Sequence, residues 1–130
     1  IDRESLTDVT LITYGGISDL AVRASLEAYM EEELNVEVLI VSSLKPLPLC
    51  DLLPSIKESG KVVILEEGVK TSGWGAELAC SINENCFSVL NNSITRLGAL
   101  ELPIPSSKSI EDVVLPQVAD IVKALLYVAQ

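Results

Sequence analysis

The chain contains no histidine, and it has only 9 Lys and Arg residues against 19 Asp and Glu residues. Without histidine, neither a Cys–His nucleophile pair nor a Cys/His zinc site can form within the chain. The formal net charge of −10 argues against nucleic-acid and anionic-membrane partners, because both require clustered basic side chains. We therefore expect no nucleic-acid partner, no membrane partner and an acidic, solvated surface.

Cysteine, aromatic residues and long apolar runs are also scarce. Cys50, Cys80 and Cys86 form neither an even set nor a C-x-x-C motif, so we expect reduced thiols and a cytoplasmic, bacterial-type compartment, with a mitochondrial or plastid matrix as the alternative. No apolar run approaches the roughly 18 residues of a membrane-spanning helix. Aromatic residues make up 4% of a chain that is 48% hydrophobic, so the core must be aliphatic, which is typical of parallel sheets covered on both faces.

Strand-like and helix-like segments alternate along the chain. The polar residues 1–8 are interpreted as a linker and residues 9–130 as one domain. The predicted strands are residues 9–14, 36–41, 61–66 and 94–97. The predicted helices are residues 18–34 with Ser18 as N-cap, residues 51–59 ended by Gly60, residues 75–87 with Ala76, Ala79 and Cys80 facing inward, and a last helix opened by Pro116. This alternation predicts βαβ units and a largely parallel sheet.

Two carboxylates end the third predicted strand, in the sequence Glu66-Glu67-Gly68. Open α/β sheets usually bind ligands at this end of their strands. Neighbouring strand residues point to opposite faces, so at most one of these carboxylates can serve any given site. A general acid/base role stays open, but we favour an interface or loop-anchoring role.

A glycine-rich segment, Thr71-Ser72-Gly73-Trp74-Gly75, precedes the next predicted helix. Leu78 occupies the position of the third glycine in a dinucleotide fingerprint, and no Gly-Lys-Ser/Thr phosphate loop is present. The glycines are therefore interpreted as allowing close approach of another backbone or subunit, and Trp74 as an exposed contact residue. No catalytic, cofactor-binding or metal-binding residue is assigned. The candidate interface residues are Glu66, Glu67, Gly68, Thr71, Gly73, Trp74, Gly75 and Glu77.

Several segments resemble the C-terminal domain that transketolase-like enzymes share. They are DVTLITYG at 8–15, VEV at 36–38 followed by SLKPL at 43–47, and VVILEEG at 62–68. Further segments are most similar to the beta subunit of the first component of 2-oxoacid dehydrogenase complexes: TSGWGAE at 71–77, LPIP at 102–105 and LP at 115–116. The order and spacing of these segments carry the resemblance, which extends over residues 8–129.

The resemblance implies a three-layer α/β/α sandwich on a five-stranded, mostly parallel sheet with one antiparallel strand. It implies a parent enzyme that decarboxylates pyruvate or a related 2-oxoacid oxidatively and transfers the acyl group to a lipoyl carrier. Thiamine diphosphate and magnesium would bind to other domains of that parent, so we expect no cofactor in this domain and no activity of the isolated chain. The implied partners are those other domains, the alpha subunit and a second copy in a homodimer.

Two alternatives stay open. One is the C-terminal domain of a transketolase or a deoxyxylulose-phosphate synthase. Such enzymes handle phosphorylated sugars and would favour an arginine phosphate clamp, whereas the chain contains only Arg3, Arg23 and Arg96. The other is a stand-alone interaction module.

Overall fold

A computed structural model of the chain describes residues 6–103 and 106–130. The first five residues of the predicted linker, and Ile104 and Pro105 of the LPIP segment, lie outside these described residues. The strands are β1 (Val9–Tyr14), β2 (Val36–Val41), β3 (Val62–Val69) and β4 (Thr95–Ala99). The helices are α1 (Ser18–Glu32), α2 (Leu49–Ser59), α3 (Trp74–Cys86), α4 (Lys108–Val114) and α5 (Val118–Ala129).

The strands form one sheet in the order β2-β1-β3-β4, and all neighbouring pairs are parallel. Helices α1 and α5 pack on one face of the sheet, and α2 and α3 pack on the other. The predicted three-layer α/β/α sandwich is therefore confirmed. The prediction of a fifth, antiparallel strand is wrong for residues 6–103 and 106–130. Strands β2, β3 and β4 each follow a helical crossover, which returns the chain in the parallel direction, and the helices that follow β4 are α4 and α5.

Each face of the sheet has its own aliphatic core. The α1/α5 core contains Val9, Leu11, Val63 and Leu65 of the two central strands. Its helix α1 contributes Ala21, Ala24 and Ala28, which are fully buried and form a stripe of small residues. Small side chains let the helix lie close to the sheet. The α2/α3 core is built around Ile12, Ile64, Ile56, Leu78 and Ile82.

The register of α3 differs from the predicted one. The buried side of α3 consists of Gly75, Leu78, Ile82 and Cys86, whereas Ala76 and Ala79 are half-buried and Cys80 is exposed. The expected inward side is wrong for Cys80 and shifted for Ala76, because Gly75, rather than an alanine, occupies the closest contact with the sheet. The larger Leu78 and Ile82 then fill the space one and two turns later. Ala79 does pack, partly buried, against the α2/α3 core.

Several element ends also differ from the predictions. Ile17, after a short 3₁₀ turn, is the N-cap of α1. Ser18 donates its hydroxyl to the carbonyl of Gly15 at 2.7 Å instead. The last helix begins at Val118 behind a capping box formed by Gln117 and Asp120, so Pro116 lies before the helix and not in its first turn.

One helix end is as predicted, and one helix was not predicted at all. Gly60 ends α2 in the left-handed conformation, as predicted. Helix α4 was not predicted. No helix in the described part of the chain is long and apolar enough to cross a membrane.

Candidate functional site

Strands β1 and β3 are neighbours in the sheet, but the helices that follow them, α1 and α3, lie on opposite faces. Their carboxyl ends therefore form the topological switch point, where open α/β sheets leave a crevice for a ligand. Tyr14 ends β1, and Glu66 and Glu67 lie near the end of β3. The predicted interface residues between Glu66 and Glu77 thus surround the switch point.

Glu66 closes this crevice from inside the protein. The residue is only 1% exposed, and its Oε2 accepts a hydrogen bond of 2.9 Å from the backbone N–H of Gly75. Its Oε1 lies 3.4 Å from Nη2 of Arg96, and Arg96 also donates to the carbonyl of Lys70. The carboxylate neutralises free N–H dipoles at the start of α3 and links that helix to β4.

Two positions in this arrangement leave no room for a side chain and therefore require glycine. A Cβ on Gly73 would lie 2.5 Å from the carbonyl oxygen of Val69 and 2.6 Å from Oε1 of Glu66. A Cβ on Gly75 would lie 3.0 Å from Cγ2 of Ile64. A Cβ on Gly68 would have no atom within 4 Å. The close approach that Gly73 and Gly75 allow is therefore made to the chain's own β3.

Trp74 is the first residue of α3 and is half-buried. Its ring meets the ring of Tyr14 edge to face, with centroids 4.9 Å apart and an interplanar angle of 76°. Its Nε1 donates a hydrogen bond of 3.3 Å to the carbonyl of Leu44. Trp74 was expected on an exposed turn, but β3 continues to Val69, and Trp74 instead begins α3 and packs, half-buried, on Tyr14 at the end of β1.

The remaining candidate residues differ in exposure. Glu67, Thr71 and Glu77 are exposed, and Gly68 is half-buried. Thr71 donates its backbone N–H and its hydroxyl to Oε1 of Glu101, at 3.2 and 2.7 Å, which orders the turn after β3. We call the outward part of this region the switch-point surface. It consists of Tyr14, Glu67, Thr71, Trp74 and Glu77.

The surroundings of Tyr14 change the pKa of its phenol. Burial raises its pKa above the ordinary value of 10.0, and the carboxylates of Glu66 and Glu67 raise the pKa further. A negatively charged phenolate is disfavoured beside these acids. The hydroxyl therefore stays neutral near pH 7 and is able to donate a hydrogen bond.

Sequence reasoning missed Tyr14, Leu44, Arg96 and Glu101. A signal for Arg96 existed, because a buried carboxylate requires a charged or hydrogen-bonding partner. Arg96 pairs with Ile64 in the parallel register and thus lies diagonally opposite Glu66, on the same face of the sheet. The contact of Trp74 with Leu44 depends on how the 42–48 loop folds back, and no local pattern indicates it.

The described residues do not fit a diphosphate–magnesium group. Within residues 6–103 and 106–130, no three His, Cys, Asp or Glu side chains are grouped so that they could hold a metal ion. The start of α3 at the switch point is already occupied by the carboxylate of Glu66. A diphosphate at that position would be repelled by this carboxylate.

Comparisons with known proteins agree with this architecture. The family model described as "Transketolase, C-terminal domain" matches residues 1–121. The chain is 33% identical to pyruvate dehydrogenase E1 component subunit beta-1, mitochondrial, of Arabidopsis thaliana, covering 95% of this chain and 34% of that protein. It is 35% identical to pyruvate dehydrogenase E1 component subunit beta of Porphyra purpurea, covering 91% of this chain and 35% of that protein. The chain thus spans about a third of the length of these relatives.

A solved structure titled "Split gene transketolase, inactive beta4 tetramer" has the same fold. It superposes with a TM-score of 0.79 over 96% of this chain and 39% of that chain. The sequence identity is 22%, so this similarity supports the fold alone.

Proposed function

The chain belongs to the transketolase C-terminal domain family, and from that membership we propose that it is the assembly domain of a pyruvate dehydrogenase-type beta subunit and carries no chemistry of its own. One observation carries the proposal. The carboxylate of Glu66 and the contacting rings of Tyr14 and Trp74 lie at the switch point, where an open α/β sheet would bind a small ligand.

The proposed parent reaction is the oxidative decarboxylation of pyruvate or a related 2-oxoacid, with acyl transfer to a lipoyl carrier. The names of the relatives that match at 33% and 35% identity support it. Thiamine diphosphate and magnesium would be held by other domains of the parent, in keeping with the poor fit of the described residues to that group. We propose a bacterial-type cytoplasm as the compartment, with a mitochondrial or plastid matrix as the alternative.

The proposed partners are the other domains of the parent, an alpha subunit and a second copy of this chain. Residues 1–8 would link the domain to the rest of the parent, and residues 9–130 would form the domain. The relatives are themselves described as subunits, which supports an assembly role.

We assign the homodimer contact to the switch-point surface. Trp74 leaves part of its ring uncovered after packing on Tyr14, and partly exposed tryptophans are frequent centres of binding energy. Between Gly68 and Ala76 the only charged residue is Lys70, so the segment around Trp74 carries no acidic residue between the flanking Glu67 and Glu77. The net charge of −10 opposes self-association overall, and added salt should strengthen the dimer by screening that repulsion.

Sedimentation equilibrium of the wild type at low and moderate salt tests this contact. Trp74→Ala should weaken the dimer roughly thirtyfold, which corresponds to about 2 kcal/mol of binding free energy. Trp74→Phe keeps an aromatic ring on Tyr14 and should weaken it less. Tyr127→Ala removes an exposed aromatic ring from α5 and serves as the matched control. A monomer under every condition, or a dimer indifferent to Trp74→Ala, would place the contact elsewhere.

A further inference from the structure

Strand β2 has an open edge. All six of its residues pair in parallel with β1, in an unbroken register from Val36 opposite Val9 to Val41 opposite Tyr14. Within residues 6–103 and 106–130, no segment pairs with its other side. The strand, VEVLIV, contains none of the lysines, prolines or bulges that usually protect an edge from pairing. Its outer backbone N–H and C=O groups are therefore available to another strand.

An apolar stripe on α1 lies above this edge. Val22, Leu26 and Tyr29 follow one another at helical spacing, and all three are exposed, Leu26 by 52%. The stripe faces β2, because Leu26 and Tyr29 line a small hollow together with Leu34 and Val36. The opposite side of α1, with Glu27 and Glu31, faces α5 instead.

The side chains of β2 on the same face continue this apolar surface. Val36 belongs to the α1/α5 core, and strand residues alternate between faces, so Val38 and Ile40 point to the α1 side as well. Ile40 is 54% exposed. In a strand added beside β2, every second side chain would point to the α1 side and lie next to Ile40 and the apolar stripe. Aliphatic side chains at these positions would be removed from water.

The other face of β2 carries an acidic residue. Glu37, between Val36 and Val38, points to the α2 side, and Glu33 lies exposed just after α1. A second copy would bring its own Glu37 and its own net charge of −10 to this edge, which disfavours self-pairing. A lysine or arginine on the added strand would instead gain a cross-strand ion pair with Glu37.

We propose that β2 accepts an extended strand from a partner polypeptide, with aliphatic side chains under the α1 stripe and a basic side chain opposite Glu37. Main-chain hydrogen bonds supply affinity in this mode of recognition, and the alternating side chains supply specificity. The edge is separate from the switch-point surface, so the proposal stands or falls independently of the dimer contact assigned there.

The test is a titration of the isotope-labelled full chain with synthetic peptides of about seven residues, followed by backbone amide NMR. The first peptide alternates valine with polar residues and carries lysine opposite Glu37. The second replaces that lysine by glutamate. We expect shifts confined to β2 and the adjacent side of α1, with the lysine peptide binding at least about tenfold more tightly than the glutamate peptide.

Two variants and one control separate recognition of the peptide from folding of the domain. Leu26→Lys places a charge in the apolar stripe of α1 and should weaken binding of the lysine peptide at least about tenfold. Met30→Lys is the control, since Met30 is 83% exposed on the same helix and does not line the hollow that Leu26 and Tyr29 form with Leu34 and Val36. Glu37→Lys should reverse the preference between the two peptides, a result that mere loss of structure would not produce.

Three outcomes would overturn the proposal. One is the absence of shifts in β2 with the lysine peptide at millimolar concentration. Another is a preference between peptides that Glu37→Lys leaves unchanged. The third is a wild-type dimer that Leu26→Lys dissociates and Met30→Lys preserves, because a second copy would then be the occupant of the edge.

Discussion

The carboxyl end of β3 and the open side of β2 differ in how their polar groups are satisfied. At the end of β3, the buried carboxylate of Glu66 binds Gly75 and Arg96, and Thr71 binds Glu101. Along β2, the outer backbone groups and the apolar stripe of α1 have no partner within the described residues. The first region completes its contacts from its own chain, and the second leaves them for another molecule.

This difference separates two kinds of sequence constraint. At the end of β3, Glu66 is held in place by the domain's own stability, because removing its carboxylate leaves the buried N–H of Gly75 unpaired. Val36 and Val41 of β2 belong to the two cores, but exposed residues such as Ile40 contribute little to the isolated domain, so an interaction with a partner would be the main constraint on them. Substitutions in the two regions should therefore have very different effects on the free energy of unfolding.

The largest expected effect comes from removing the carboxylate of Glu66. Glu66→Ala leaves the N–H of Gly75 and the guanidinium of Arg96 without their partner, and we expect a loss of about 3 kcal/mol in the free energy of unfolding. Urea denaturation measures it. Glu67→Ala on the same strand and Ile40→Thr on the open edge are controls, each expected to change stability by less than about 1 kcal/mol. Equal losses for all three variants would remove the distinction between the regions.

A smaller effect is expected from filling the space at Gly73. Gly73→Ala places a methyl group against the carbonyl of Val69 and the carboxylate of Glu66, and should cost about 2 kcal/mol through backbone displacement. Gly68→Ala is the matched control, since its methyl group would meet no atom within 4 Å. Thermal melts of both variants give the comparison. If Gly68→Ala proved the more damaging, the turn after β3 would have to follow a different path.

The smallest effect concerns the pH dependence contributed by Tyr14. The folded-state pKa of Tyr14 lies above the ordinary value of 10.0, so the unfolded chain releases this proton first as the pH rises. The contribution of Tyr14 is therefore fully present below about pH 10 and is lost as the pH rises through the folded pKa. Stability measured from neutral to alkaline pH should fall more steeply in the wild type than in Tyr14→Phe. Tyr127→Phe should retain the wild-type slope, and identical slopes in all three proteins would contradict the raised pKa.

The layers of the fold were predictable because local patterns determine them. Runs of aliphatic residues such as 62–65 indicate central parallel strands, and the spacing of Ala21, Ala24 and Ala28 indicates a helix close to the sheet. The register of α3 was not predictable in the same way, since Ala76 and Gly75 are both small and only the packed structure selects between them. The additional strand was expected from a resemblance and not from any pattern in these residues.

The candidate site was predictable in position but not in detail. Strand-end carboxylates and a glycine-rich turn indicated the carboxyl end of β3, and the structure places these residues at the switch point. The distant partners of Glu66 and Trp74 are Arg96, Tyr14 and Leu44, which lie about 30 to 60 residues away in sequence. Such long-range contacts depend on strand order, which a single sequence does not reveal directly.

Trp74 is the only tryptophan in the chain, and its contact with Tyr14 makes the protein's fluorescence a local signal. Emission from the indole comes from one place in the molecule, so a change in its intensity or wavelength reports on the start of α3 and the end of β1. A partner that covers the ring would alter this emission directly. A strand that binds along β2, beyond the opposite side of β1, would leave it nearly unchanged. The intrinsic fluorescence of the unmodified protein therefore distinguishes occupation of one surface from occupation of the other.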